Sequence, residues 1–96
     1  MNLKTTIMIP VNSNKANYEE IVINRVLERL DKSDYISLSR SECFNNGIAE
    51  SVAKKFSEKK YHVKITYFLN GQMQFLIVSK NPLKETIARM IYSVDF

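Results

Sequence analysis

The chain has 96 residues, 45% hydrophobic and 25% charged, which suits one packed domain spanning 1–96 and excludes a disordered polymer. Its net charge of +4 and isoelectric point near 9.3 make it moderately basic, a balance that suits phosphate or an acidic partner. One cysteine, Cys43, excludes an intramolecular disulfide, and no stretch reaches the ~18–20 apolar residues of a membrane helix.

The charge is uneven. Residues 1–40 carry six cations and five anions, residues 41–80 six and three, and residues 81–96 two of each. Most of the excess lies between Lys54 and Lys80. The N-terminal stretch is stopped by Pro10 before it could act as a signal peptide, so a reducing, cytoplasmic setting without membrane attachment is expected. The abundance of Lys, Ile, Asn and Ser against few Gly, Ala, Arg and Pro suggests an AT-rich genome, such as a low-GC bacterium or its phage.

In chain order, Thr5–Pro10 alternates weakly and predicts a first strand, followed by "VNSNKAN" as a polar loop. Asn17 with Glu20 three residues on predicts a capped helix start, with Tyr18, Ile21, Val22, Val26, Leu27 and Leu30 on its apolar face. "DKSD" ends that helix and Tyr35–Ser39 predicts a second strand. A second helix starts between Ser41 and Asn46, burying Ile48, Ala49, Val52, Ala53 and Phe56, and ends at "SEKK".

"YHVKITYFL", Asn70-Gly71 and "QMQFLIVS" predict a hairpin with a two-residue type I′ turn. That pairing puts Val63, Ile65, Tyr67, Leu69, Gln72, Gln74, Leu76 and Val78 on the face toward the helices. His62, Lys64, Thr66, Phe68, Met73, Phe75, Ile77 and Ser79 then face outward. An outward cluster of Phe68, Met73, Phe75 and Ile77 needs a cover: a homodimer partner, the C-terminal helix, or nucleic-acid bases. Asn81-Pro82 predicts the start of a third helix with Leu83, Ile87, Met90, Ile91 and Val94 on one side. The order β-α-β-α-β-β-α predicts an α+β fold of two layers, helices on one face of a mixed four-stranded sheet.

Little in the sequence suggests catalysis. His62 has no nucleophile predictably near it, and Cys43 beside Glu42 reads as a small buried thiol at a helix start. No spacing suits zinc and no glycine-rich phosphate loop is present, so neither metal nor cofactor is expected. Two loop-to-helix junctions point instead to an anion site. One is "NSNKAN", with Lys15 ahead of the Asn17 cap; the other is Arg40 at a strand end before Asn45-Asn46-Gly47. A helix start offers free N–H groups and partial positive charge, and a β-α-β-α unit brings both junctions to one edge. Against this, asparagine caps and solvated cations are commoner than ligand sites.

These pieces resemble the Alba family of small basic nucleic-acid-binding proteins and the related sporulation stage V protein S family over roughly residues 3–80. The resemblance rests on Lys15-Ala16-Asn17-Tyr18 leading into the first helix, and on "YISLSR" followed by "GIAESVAKKF". It implies a sheet-and-helix dimer that contacts DNA or RNA through Lys15 and Arg40. The chain departs from that pattern where "SECFNN" follows Arg40, where the hairpin ends in a tight Asn-Gly rather than a long basic arm, and in its appended third helix. The C-terminal domain of an RNA-binding translation initiation factor shares this strand order too.

The preferred expectation is a non-enzymatic, homodimeric nucleic-acid-binding protein, with RNA slightly favoured over DNA. Its contacts would be Lys15, Asn17, Arg40, Asn46, Lys54, Lys55 and Lys64, joined by Lys59 and Lys60. The alternative is a phage-type inhibitor or adaptor that grips a host protein through the outer hairpin face.

Overall fold

The structure is a computed structural model that describes residues 11–82 and 92–96. Its elements are α1 (Val11–Leu30), β1 (Tyr35–Ser39), α2 (Arg40–Cys43), α3 (Asn46–Glu58), β2 (His62–Tyr67), β3 (Met73–Ser79) and β4 (Tyr92–Asp95). The four strands form one sheet in the order β1-β3-β2-β4, and every pairing is antiparallel. The α+β class expected from the sequence is therefore present, with an antiparallel sheet in place of the mixed one. The expected strand at Thr5–Pro10 lies outside the described residues. So does most of the expected third helix, but Val94 belongs to β4, where it pairs with Ile65.

α1 contradicts the expected loop. Helix runs through "VNSNKAN", so Asn17 is an exposed interior helical residue instead of a cap, and Lys15 stands within a helix. The buried stripe of α1 is narrow: Val22, Val26 and Leu30 face the core, while Tyr18, Ile21 and Leu27 from the expected apolar face are exposed. A four-residue spacing drifts slowly round a helix of 3.6 residues per turn, so only one seam of a curved surface meets the sheet. α3 buries all five expected residues, Ile48, Ala49, Val52, Ala53 and Phe56. Its N-cap is Asn45, whose Oδ1 accepts from the Ile48 amide at 2.9 Å.

The core joins these helices to Ile36 and Leu38 of β1, Val63, Ile65 and Tyr67 of β2, and Met73, Leu76 and Val78 of β3. Each fully buried aliphatic side chain contributes on the order of 1.5–3 kcal/mol. Polar ties hold the layers in register. Glu19 of α1 pairs with Lys55 of α3 at 3.0 Å, and the Tyr67 hydroxyl donates to Glu50 at 2.7 Å.

The hairpin differs from the expected one in a way that moves a side chain across the sheet. Its loop has three residues, Leu69-Asn70-Gly71. The Gly71 amide donates to the Phe68 carbonyl at 3.0 Å and the Phe68 amide to the Gln72 carbonyl at 2.9 Å. Of these three residues only Gly71 has positive φ, at 89°, so Asn70 does not take the type I′ conformation. A turn followed by one left-handed glycine is the usual three-residue solution. It pairs Tyr67 with Met73. Further down, Thr66 pairs with Phe75, so an irregularity absorbs Gln74 and restores the expected register from there to His62 and Ser79. Met73 consequently points into the core with no exposure. Of the outward cluster, Ile77 is buried, Phe75 half-buried and Phe68 exposed.

Candidate functional site

The turn from β1 into the helices is where the chain departs most from relaxed geometry. Ser39 precedes the single turn α2, and its amide donates to Glu42 Oε1 at 3.1 Å, the residue three places on. Phe44 follows with φ 74° and ψ −56°. The Asn45 amide donates back to the Cys43 carbonyl at 2.9 Å. An i to i+2 hydrogen bond at these angles is a γ-turn of the positive-φ kind, rare and strained for a residue with a side chain.

The strain aims the Phe44 ring at α1. It lies on Tyr18 with centroids 4.6 Å apart and planes tilted by 32°. The Arg25 guanidinium sits 5.5 Å from the same ring, and its Nη1 donates to the Glu42 carbonyl oxygen. Arg29 pairs with the Glu42 carboxylate. The Arg29 hydrogen bond, then that from the Ser39 amide, hold Glu42 below the ordinary carboxylate range against the opposing effect of burial. Tyr18 remains 44% exposed, and the ring it lies on, Phe44, carries the Arg25 guanidinium. Sequence reading missed this cluster. Tyr18 scored as core by spacing, and nothing local announces that Phe44 takes positive φ.

The expected binding residues separate into three groups. Arg40 is exposed and, among the described residues, makes no ion pair or side-chain hydrogen bond. Lys15 lies on α1 three residues before Tyr18, so the stack of Tyr18 on Phe44 brings its turn of helix to the end of the domain where β1 finishes. Lys54 is exposed on α3, and Asn17 is exposed on α1 without the capping role expected of it. Three others are occupied within the fold. Lys55 is tied to Glu19, and Lys64 to its ladder partner Asp95 at 3.4 Å. Asn46 Oδ1 accepts from the Met73 amide at 2.9 Å while its Nδ2 donates to the Gly71 carbonyl at 2.8 Å. The run Asn45-Asn46-Gly47 therefore caps a helix and clasps the hairpin tip; its polar groups are not a free anion cradle.

Among the described residues no group of three or more His, Cys, Asp and Glu could hold a metal ion, and no helix is long and apolar enough to cross a membrane. Cys43 is wholly buried. Burial pushes its thiol up to about 12, Glu42 adds to the rise, and Arg25 and Arg29 oppose it. A thiol held protonated is a poor nucleophile. The shift has a consequence for stability. A folded value above the unfolded one of about 8.5 gives stability that is whole below pH ~8.5 and is lost as pH rises toward 12. Urea unfolding should weaken over that range by up to about 1.4 kcal/mol per pH unit from this group. Cys43→Ala should show a shallower loss, and equal slopes would contradict the assignment.

A groove of about 160 Å³ runs between α1 and α3, lined by Ile23, Leu27 and Phe56 with Lys55, Glu58 and Lys59. A second depression, of about 270 Å³, lies beside His62, Lys64, Asp95 and Phe96 at the far end of the sheet. Neither holds an arrangement with chemistry of its own. No protein-family model, curated protein or solved structure matches the chain.

Proposed function

We propose that the protein is a non-enzymatic binder of single-stranded nucleic acid, RNA in preference to duplex DNA, that stacks a base on the open face of Tyr18. The observation that carries this reading is the Tyr18–Phe44 step, held by a strained turn and flanked by Arg25. Strain of this kind costs about 1–3 kcal/mol and persists only where the surroundings impose it. A half-exposed aromatic beside a guanidinium suits the face of a base and its phosphate. Lys15, in the turn of α1 that precedes Tyr18, is the second phosphate contact of this proposal. The outer hairpin face loses its role as a platform or protein grip in this reading, because Met73 and Ile77 are buried.

The salt dependence follows from the small number of cations. Two phosphate contacts to a single strand give a log–log slope of about −1.4. Anisotropy titrations with a labelled single-stranded RNA, its DNA counterpart and a duplex measure this directly. Tyr18→Ala should weaken single-strand binding roughly five- to 150-fold, the equivalent of one lost stack. Phe44→Gly should also weaken it, yet leave a more stable domain than Phe44→Ala by about 1 kcal/mol, since glycine accepts positive φ and alanine does not. Absence of binding, or binding indifferent to Tyr18→Ala, would dispose of the proposal.

A further inference from the structure

β1 is an edge strand, paired with β3 on one side and with no described strand on the other. The hydrogen-bond pattern shows which of its groups face out. The Lys80 amide donates to the Asp34 carbonyl at 2.8 Å, one step beyond the Tyr35–Ser79 pair. Alternation in an antiparallel ladder then gives the bonded pairs to Asp34, Ile36 and Leu38, and turns the N–H and C=O of Tyr35, Ser37 and Ser39 toward the open edge. The Ser39 amide agrees, since it is taken by Glu42. Tyr35, at 63% exposure, and Ser37 are both exposed. Soluble proteins usually blunt such an edge with lysine, proline or a bulge, and "YISLS" has none of these.

We propose that two copies of the chain join through β1, antiparallel about a two-fold axis at Ser37, to make one continuous sheet. Charge complementarity selects a second copy as the occupant. With Ser37 opposite itself, Tyr35 falls opposite Ser39, and Asp34, just before the strand, comes next to Arg40, the first residue of α2 in the other copy, twice by symmetry. Both Asp34 and Arg40 are exposed, and among the described residues neither has an ion-pair partner. Centring on Ile36 or Leu38 would also match outward groups with outward groups, but it leaves Asp34 opposite Leu38 or Glu42. Centring on Tyr35 or Ser39 would separate Arg40 from Asp34. The register at Ser37 alone brings the two opposite charges together, with Ser37 bonded to Ser37 and the Ser39 amide left to Glu42, and it gives Arg40 a role apart from nucleic acid.

The test is light scattering coupled to size exclusion on nuclease-treated full-length protein across a range of concentrations. The expected mass is twice the 11.2 kDa of the chain. Ser37→Pro removes an outward N–H while sparing the ladder to β3, and should give a folded monomer. Arg40→Asp should raise the dimer dissociation constant at least tenfold, and adding Asp34→Arg to it should restore the dimer. The charge exchange reads the interface even if Ser37→Pro perturbs folding. A monomer at every concentration, a dimer indifferent to Arg40→Asp, or a double variant that stays monomeric overturns the proposal. Tyr18→Ala should leave the mass unchanged, so this result stands apart from nucleic-acid binding.

Discussion

Replacing Met73 with alanine is expected to destabilise the domain by about 2–5 kcal/mol, the cost of a large-to-small change in a closed core. Met73 has no solvent exposure and sits in the cluster with Ile65, Leu76 and Val78. A strict two-residue hairpin would instead put it on the outer face, where the same change would cost a few tenths of a kcal/mol. Urea midpoints for Met73→Ala beside Phe68→Ala, whose side chain is 42% exposed, separate the two registers. Near-equal midpoints would mean that the extra loop residue and the irregularity at Gln74 are wrong.

Asn46→Ala should cost about 2–3 kcal/mol. One side-chain amide serves two backbone groups on the hairpin, the Met73 N–H and the Gly71 carbonyl. Losing it removes two hydrogen bonds and strands a donor on a fully buried residue, and an unsatisfied buried group costs about 1–3 kcal/mol. Asn46→Asp keeps the acceptor and replaces the donor with an oxygen facing Gly71, so it should fall between wild type and alanine. Hydrogen exchange at the Met73 amide gives an independent reading. It should accelerate in Asn46→Ala and stay slow in Asn46→Asp. An Asn46→Ala variant within about 0.5 kcal/mol of wild type would show that the clasp contributes nothing.

The two predictions share a lesson about local and non-local signals. Asn45-Asn46-Gly47 looks alike whether its amides are open to a ligand or closed on a hairpin, because the groups that close it lie 25 and 27 residues away. Lys55 and Lys64 read as free cations for the same reason. Their carboxylate partners come from α1 and β4. The anion site expected between Lys15 and Arg40 lost its first half when "VNSNKAN" continued as helix, and the aromatic step of Tyr18 on Phe44 appears at the same end of the domain.

Several features were legible from the amino acids alone. The α+β class, β1 at Tyr35–Ser39, all five buried residues of α3, and the hairpin register from His62 to Thr66 follow from hydrophobic periodicity. Periodicity works there because those segments bury one face against a single neighbour. Tertiary packing alone decided the antiparallel sheet with β4 at its edge, the inward turn of Met73, and the positive φ at Phe44. Each of these depends on a contact between residues distant in the chain, or on strain that packing imposes locally. A pattern of apolar and polar letters carries no record of either.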